Sequence, residues 1–206
     1  SIGLRMISGS GIYRSGGDDI ERALVPALEM MPDVLALPNL APQDSVRLIA
    51  RARDMGFSGP ITTEAAQDAD FLVSAIGSLA DGIVMVGGAS PIDSRSERMQ
   101  DFMVRFTRLA GQWNDEAGTK VHALELILAT LQMAGERALS DIRSFQAMIP
   151  DFSIENPMMS RSSRLTYWGD RDLKQKRQIG IPLVVNSISG GALKNLFVEE
   201  PSEFSQ

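Results

Sequence analysis

The chain has 206 residues, 44% of them apolar and 22% charged, with a formal net charge of −6. That composition is globular rather than disordered, and its acidic balance disfavours polyanionic partners such as nucleic acid or an anionic membrane surface. With no Cys and a single His, it leaves no basis for disulfides, thiol nucleophiles, iron–sulfur clusters or the usual structural zinc sites. No apolar run reaches the roughly 18 residues that a membrane-crossing helix needs. The start, Ser1-Ile2-Gly3, carries neither a basic region nor an apolar signal core. Either the protein is cytoplasmic or this start is not the native one.

Residues 4–8 or 10–14 supply a candidate opening strand. Residues 19–31 place Ile20, Ala23, Leu24, Leu28 and Met31 at helical spacing. Pro26 inside that segment should kink the helix or delay its start. The run from Asp33 to Leu37 is short and apolar, as expected of a strand buried on both faces, and Pro38-Asn39 ends it. Residues 43–55 read as a helix through Val46, Ile49, Ala50 and Met55, with Gly56 placed for a left-handed cap. The pattern then repeats, with a strand at 59–62, a helix at 68–80 and a strand at 82–86. After Gly87-Gly88 comes a helix at 94–110 carrying Met99, Phe102, Met103, Phe106 and Leu109. Strand–helix units joined this tightly predict a parallel sheet with right-handed crossovers.

After Gly111 the rhythm changes. Two helices are predicted near 119–134 and 139–149, separated by Gly135, with no strand between them. Leu124, Ile127, Leu128 and Leu131 span more than one stripe of the first, a face wider than one contact requires. Residues 150–163, rich in Pro, Ser and Met, read as a loop. Residues 164–168 and 181–188 are expected to be two strands joined by a charged turn, its basic stretch Arg171 to Arg177 a solvated loop. Gly190-Gly191 reads as a turn, and the tail after Val198 as frayed.

Candidate chemistry is thin. His122, beside Val121 and Leu124 on a helix, has no sequence-placed Ser or second His, so it reads as a satisfied structural histidine. Ser8-Gly9-Ser10-Gly11 and Ser15-Gly16-Gly17 suggest a phosphate cradle, but a P-loop continues with Lys and then Ser or Thr. Here Asp18-Asp19 follow, and two carboxylates would repel phosphate. The other acidic pairs (Asp68/Asp70, Asp115/Glu116, Glu199/Glu200) sit in polar contexts that suit caps and tails. No catalytic constellation, metal site or cofactor site emerges, so the chain is read as no enzyme. What remains are the loops that follow the predicted parallel strands: Pro38 to Gln43, Thr63 to Gln67, and Gly87 to Ser90. In open α/β sheets that edge is where ligands bind. Glu64 stands there among Thr and Ala neighbours, either as a helix-start acid or as a counter-ion for a ligand ammonium.

The order of several blocks resembles the second lobe of type I periplasmic binding proteins, the leucine/isoleucine/valine-binding group of ABC importers. The blocks are Met31-Pro32-Asp33-Val34-Leu35; Ser45 to Ile61, with its Ala50-Arg51-Ala52-Arg53-Asp54-Met55-Gly56; Ala80 to Val84; and His122 to Ala129, closed by Gly135. Trp168-Gly169-Asp170-Arg171 and Pro182 to Val185 are similar to the family's late hairpin. The resemblance implies an α/β fold, a parallel sheet flanked by helices in three layers, with the first lobe missing. It implies a second-lobe segment over 1–112, a first-lobe helix pair over 113–160, a terminal hairpin over 161–198 that returns to the second lobe, and a tail over 199–206. It further implies a solute-binding component of an importer, periplasmic or membrane-anchored outside the cell, working by closure of two lobes on a small polar ligand. The alternative is the same fold as a ligand-sensing module of a regulatory protein.

Carried over position by position, the family's acid falls at Glu64 or, by an ungapped count, at Ala65. The family's aromatic falls near Leu40, beside Asn39, and Leu40 is not aromatic. Expected partners are an amino acid or related ligand and a membrane permease, with no nucleic acid. The missing lobe or another chain is expected to cover residues 119–149.

Overall fold

Short strands alternate with helices through the first 86 residues, and the three strands among them pair in parallel as expected. In the computed structural model, residues 3, 5, 7, 13–17, 19–38, 40–63, 68–87, 94–113, 115–149, 152–160, 164–169 and 178–200 are described. The proposed opening strand at 4–8 or 10–14 lies largely outside them. The chain divides into two compact units, one of residues 1–86 and 185–196, the other of residues 87–184 and 197–206.

The first unit begins with α1 (Ile20–Glu29), which runs through Pro26 without the delayed start that proline allowed. Three strands follow, β1 (Leu35–Ala36), β2 (Ile61–Thr63) and β3 (Ile83–Val86), paired in parallel with Leu35 beside Ile61 and Ile61 beside Ile83. Between them lie α2 (Pro42–Asp54) and α3 (Ala69–Ile76), the latter prolonged by a tight 3-10 turn over Gly77–Ala80.

Local chemistry explains where these helices start and stop. Proline at the first helical position of α2 loses no hydrogen bond, because that N–H has no partner inside a helix. At the other end Gly56 adopts φ +88°, Phe57 N donates to Ala52 O at 3.0 Å and Gly56 N to Arg53 O at 2.9 Å. Those two bonds satisfy carbonyls that the helix leaves open. Asp68 caps α3 by accepting from Phe71 N at 3.1 Å. The core gathers Leu48, Ile49, Ile61, Leu72, Ile83 and Ile188, all nearly inaccessible.

The sheet is mixed rather than purely parallel. β7 (Leu183–Ser189) runs antiparallel to β3, and β8 (Ala192–Glu199) lies beside β7, giving the order β1-β2-β3-β7-β8. β8 lies in the stretch that the expected terminal hairpin over 161–198 covered without assigning a strand after Gly190-Gly191. Gly190 and Gly191, at φ +62° and +73°, make the two-residue turn between the paired strands.

The second unit holds α4 (Glu97–Ala110), α5 (Asp115–Ala134), α6 (Arg137–Ser140) and α7 (Ile142–Met148). Ser96 caps α4 through Met99 N at 3.0 Å, so the helix starts three residues later than position 94. The helix predicted at 139–149 is broken at Asp141, which ends α6 and caps α7 by accepting from Arg143 N and Ser144 Oγ. A second sheet, β4 (Ser153–Ile154), β5 (Leu165–Gly169) and β6 (Gln178–Gly180), is antiparallel in that order. Here the sequence-based expectation is corrected twice. A short strand sits inside the predicted loop 150–163, and 164–168 pairs with 178–180 rather than with 181–188. A two-residue glycine turn couples β7 to β8 locally, whereas pairing with β5 would have to close a longer connection. The basic stretch 171–177 lies outside the described residues.

Trp113 packs edge-to-face on both Phe102 and Phe106, which are tilted against each other, with ring centroids 5.5–6.1 Å apart. Around them Met99, Val121, Met158, Met159 and Val184 make a small core. Gly118 belongs to this contact, since a Cβ there would stand 3.2–3.4 Å from Met99, Trp113 and Met158. Apolar residues of α5 do not gather on one face, and Leu124, Ile127 and Leu128 are about half exposed. Leu131 is half-buried.

Candidate functional site

The sheet of the first unit positions the candidate site. β1, β2 and β3 are adjacent, parallel and in register, so the segments after Ala36, Thr63 and Val86 all leave from the same edge. Leu37 N donates to Thr62 O at 2.8 Å, which carries the β1 pairing one residue past the strand. Thr63, at the end of β2, is fully buried. Backbone groups at such an edge, next to helix starts, are the ones that polar ligands use in open α/β sheets.

Of the four predicted contact residues, Leu40 alone is described. It is half-buried and packs against the core of the first unit. Asn39, Glu64 and Ala65 lie outside the described residues. What is described next to Glu64 is the helix that follows. α3 starts at Ala69, and its capping bond comes from Asp68, with Asp70 in the first turn. In the sequence Glu64 precedes that first helical residue by five positions, and the dipole acts within about one turn.

The glycine turn at Ser15-Gly16-Gly17, rejected above as a phosphate cradle, is occupied by a carboxylate of the chain itself. Asp44, buried in the first turn of α2, accepts from Ser15 Oγ at 2.7 Å and from Gly16 N at 3.2 and 3.3 Å. Burial, and then the charge of Asp44, push the Tyr13 hydroxyl above the ordinary tyrosine range. Sequence reading missed this clamp because its partners are 28 and 29 residues apart.

Arg53 was missed for the same reason. Its guanidinium donates to the carbonyls of Phe57 (2.8 Å), Gly59 (2.7 Å), Asp81 (3.0 Å) and Leu79 (3.4 Å), and lies 5.8 Å from the centre of the Phe57 ring. It staples the end of α2 to the segments that deliver β2 and β3. Gly59 is obligatory beside it, because a Cβ would meet Asp33 O at 2.7 Å.

His122 corrects the expectation of a satisfied histidine. Burial pushes its pKa below the ordinary histidine range, opposed by a hydrogen bond to the Asn156 side chain. Its Nε2 is buried with no hydrogen-bond partner. Among the described residues no group of His, Asp and Glu could hold a metal ion, and no helix is long and apolar enough to cross a membrane.

Taken together, the first unit is an open α/β sheet whose parallel strands carry the candidate contact positions beyond their carboxyl ends. A family profile described as periplasmic binding protein matches residues 1–166, and the chain belongs to that family. Solved structures with a similar fold include a leucine-binding protein from Thermotoga maritima, with TM-score 0.69 and 18% identity over 92% of this chain and 51% of that one. A leucine-, isoleucine-, valine-, threonine- and alanine-binding protein from Brucella ovis, in a closed conformation, gives 0.68 and 16% over 92% and 49%. A solute-binding protein of an ABC transporter from Rhodopseudomonas palustris, in complex with benzoate, gives 0.61 and 18% over 89% and 47%. The chain therefore spans about half the length of these structures. No curated protein sequence matches it.

Proposed function

We propose that the chain is part of the solute-binding component of an ABC importer, a non-enzymatic protein acting in the periplasm or anchored outside the cell. It takes a small polar ligand such as an amino acid in a cleft between lobes and delivers it to a membrane permease. The observation that carries this reading is the family match over residues 1–166, joined to a parallel sheet whose strand ends leave from one edge. Asn39, Leu40, Glu64 and Ala65 are the contact positions, with Glu64 accepting from the ligand ammonium. Asp68 already caps the helix that follows, which favours the counter-ion role of Glu64 over that of a helix-start acid.

The assignment of 1–112 and 161–198 to the second lobe, 113–160 to the first and 199–206 to a tail belongs to the same proposal. So does the cover over 119–149, supplied by the first lobe or by another chain. The exposure of Leu124, Ile127 and Leu128 supports such a cover.

Calorimetric titration of the complete protein with leucine and with benzoate, in wild type and Glu64→Gln, tests the reading. A charge-assisted bond contributes roughly 1.5–3 kcal/mol, so leucine binding should weaken about ten- to a hundredfold. Benzoate, which has no ammonium, should be unaffected. Unchanged leucine affinity with a slightly lower melting temperature would return Glu64 to a helix-end role. Failure of a full panel of amino acids to bind the wild type would remove the amino-acid reading itself.

A further inference from the structure

A cavity of about 330 Å³ lies in the second unit, near the lower end of the roughly 300–1,000 Å³ typical of small-molecule sites. Packed interiors leave few spaces larger than a water molecule, and an apolar cavity of about 150 Å³ already holds benzene. Room of about twice that size admits a two-ring aromatic molecule. Of its wall residues, Met158, Met159, Pro182 and Val184 are buried, whereas Ala123 of α5 is exposed and Ile181 is 49% exposed. The cavity therefore opens to solvent beside Ala123 and Ile181, and a guest enters without unfolding the core.

The wall has little polar to offer. Among the described residues that line it, none is charged. Backbone groups of the buried part are already used. Met158 N and Met159 N donate to Asn156 Oδ1 at 2.9 and 3.1 Å, Ser96 N to Met158 O at 3.0 Å, and Gly87 N to Val184 O at 2.8 Å. His122 is the one polar side chain on the wall, and its nitrogens are closed off. One bonds the Asn156 side chain, and Nε2, the other, is buried out of reach of solvent. A guest that carried a charge or a strong hydrogen-bonding group into this space would lose hydration and gain no partner.

We infer that this cavity is a second small-molecule site, which takes an uncharged, flat aromatic hydrocarbon of about two fused rings. Contact and desolvation alone hold such a guest, against the aliphatic side chains of Leu126, Ile179 and Val184. The methionine pair favours a ring over a branched alkane. Their unbranched chains shift readily, and thioether sulfur packs well against an aromatic edge. The site lies wholly within the second unit and does not depend on Glu64 or on an interlobe cleft.

Naphthalene is the probe, read by methyl NMR of the methionines in the full 206-residue chain. Met158→Leu and Met159→Leu assign the two signals that matter among the eleven methionines. Naphthalene should bind saturably and shift both methyls through its ring current. Benzene, with less apolar area to bury, should bind about tenfold more weakly. Naphthalene-1,5-disulfonate, which carries a charge on each ring and so would bury one of them, should not bind. Leu126→Trp, which fills the cavity, should abolish naphthalene binding. Ile181→Trp, at a half-exposed position beside the opening, spares the buried wall and should weaken binding about tenfold. Absence of saturable naphthalene binding, binding that leaves both methyls unmoved, equal binding of the disulfonate, or unchanged affinity in both tryptophan variants would each overturn the assignment.

Discussion

The two compact units use similar amounts of chain to different effect. Among the described residues, the first buries about twice as many apolar side chains as the second, whereas the second exposes more large apolar side chains than it buries. In the first unit, parallel strands stacked edge to edge bring Ile61 and Ile83 beside each other, and Leu48, Ile49 and Leu72 from two helices close over them. In the second, α5 is apolar around much of its circumference, yet its side chains at the described positions include few buried apolar ones, Val121 among them. A helix of that kind is normally buried on most sides. The contrast teaches that one unit is self-sufficient in its core and the other presents surface suited to cover.

The largest test of the contrast is paired truncation. Ile61→Ala removes a side chain with no exposure and should cost about 2–5 kcal/mol in urea denaturation. Ile127→Ala, half exposed on α5, should stay within about 0.5–1 kcal/mol. Equal losses would erase the difference between the units.

Arg53→Lys comes next. Lysine keeps the charge but lacks the guanidinium fork that reaches four carbonyls, so several part-buried acceptors lose charge-assisted partners. A loss of about 2 kcal/mol is expected, read by differential scanning calorimetry as a lower melting temperature of the first unit. A neutral outcome would mean that the strand connections hold without the staple.

The second unit should carry a pH signature. His122 has a folded pKa below its ordinary value near 6.5, because burial disfavours the charged ring. Below that ordinary pKa the unfolded chain binds a proton that the folded chain refuses, so this group makes stability fall as pH drops through about 6.5 and below. Above it the group contributes no slope. Melting curves at pH 7.5 and 5.5 should therefore lie closer together for His122→Phe than for wild type, and an equal spacing would exclude the histidine as the source.

The smallest effect concerns Met31, which follows α1 with φ +51° and is 86% exposed. Left-handed backbone disfavours a Cβ by roughly 1–2 kcal/mol, part of which glycine returns as unfolded-state entropy. Met31→Gly should stabilise the first unit by about 0.5 kcal/mol, measured by the denaturation midpoint, and leave the second unchanged.

Local signals carried much of the first unit. Continuous apolar runs at 33–37 and 82–86, helical spacing over 43–55 and Gly56 past that helix each act within a few residues, so the sequence alone determined three strands, their helices and a parallel arrangement. The order of those pieces also pointed to the periplasmic binding protein family. Tertiary structure decided what depends on distant partners. β7 pairs with β3 and β8 rather than with β5, because register is chosen among competing edges that no short window contains. Asp44 closes on Ser15 and Gly16, and Arg53 on carbonyls up to 28 residues away, pairings that carry no pattern in sequence. His122 reads in sequence as a satisfied structural histidine, and only folding buries one nitrogen without a donor, since desolvation is a property of the packed interior and not of the residue.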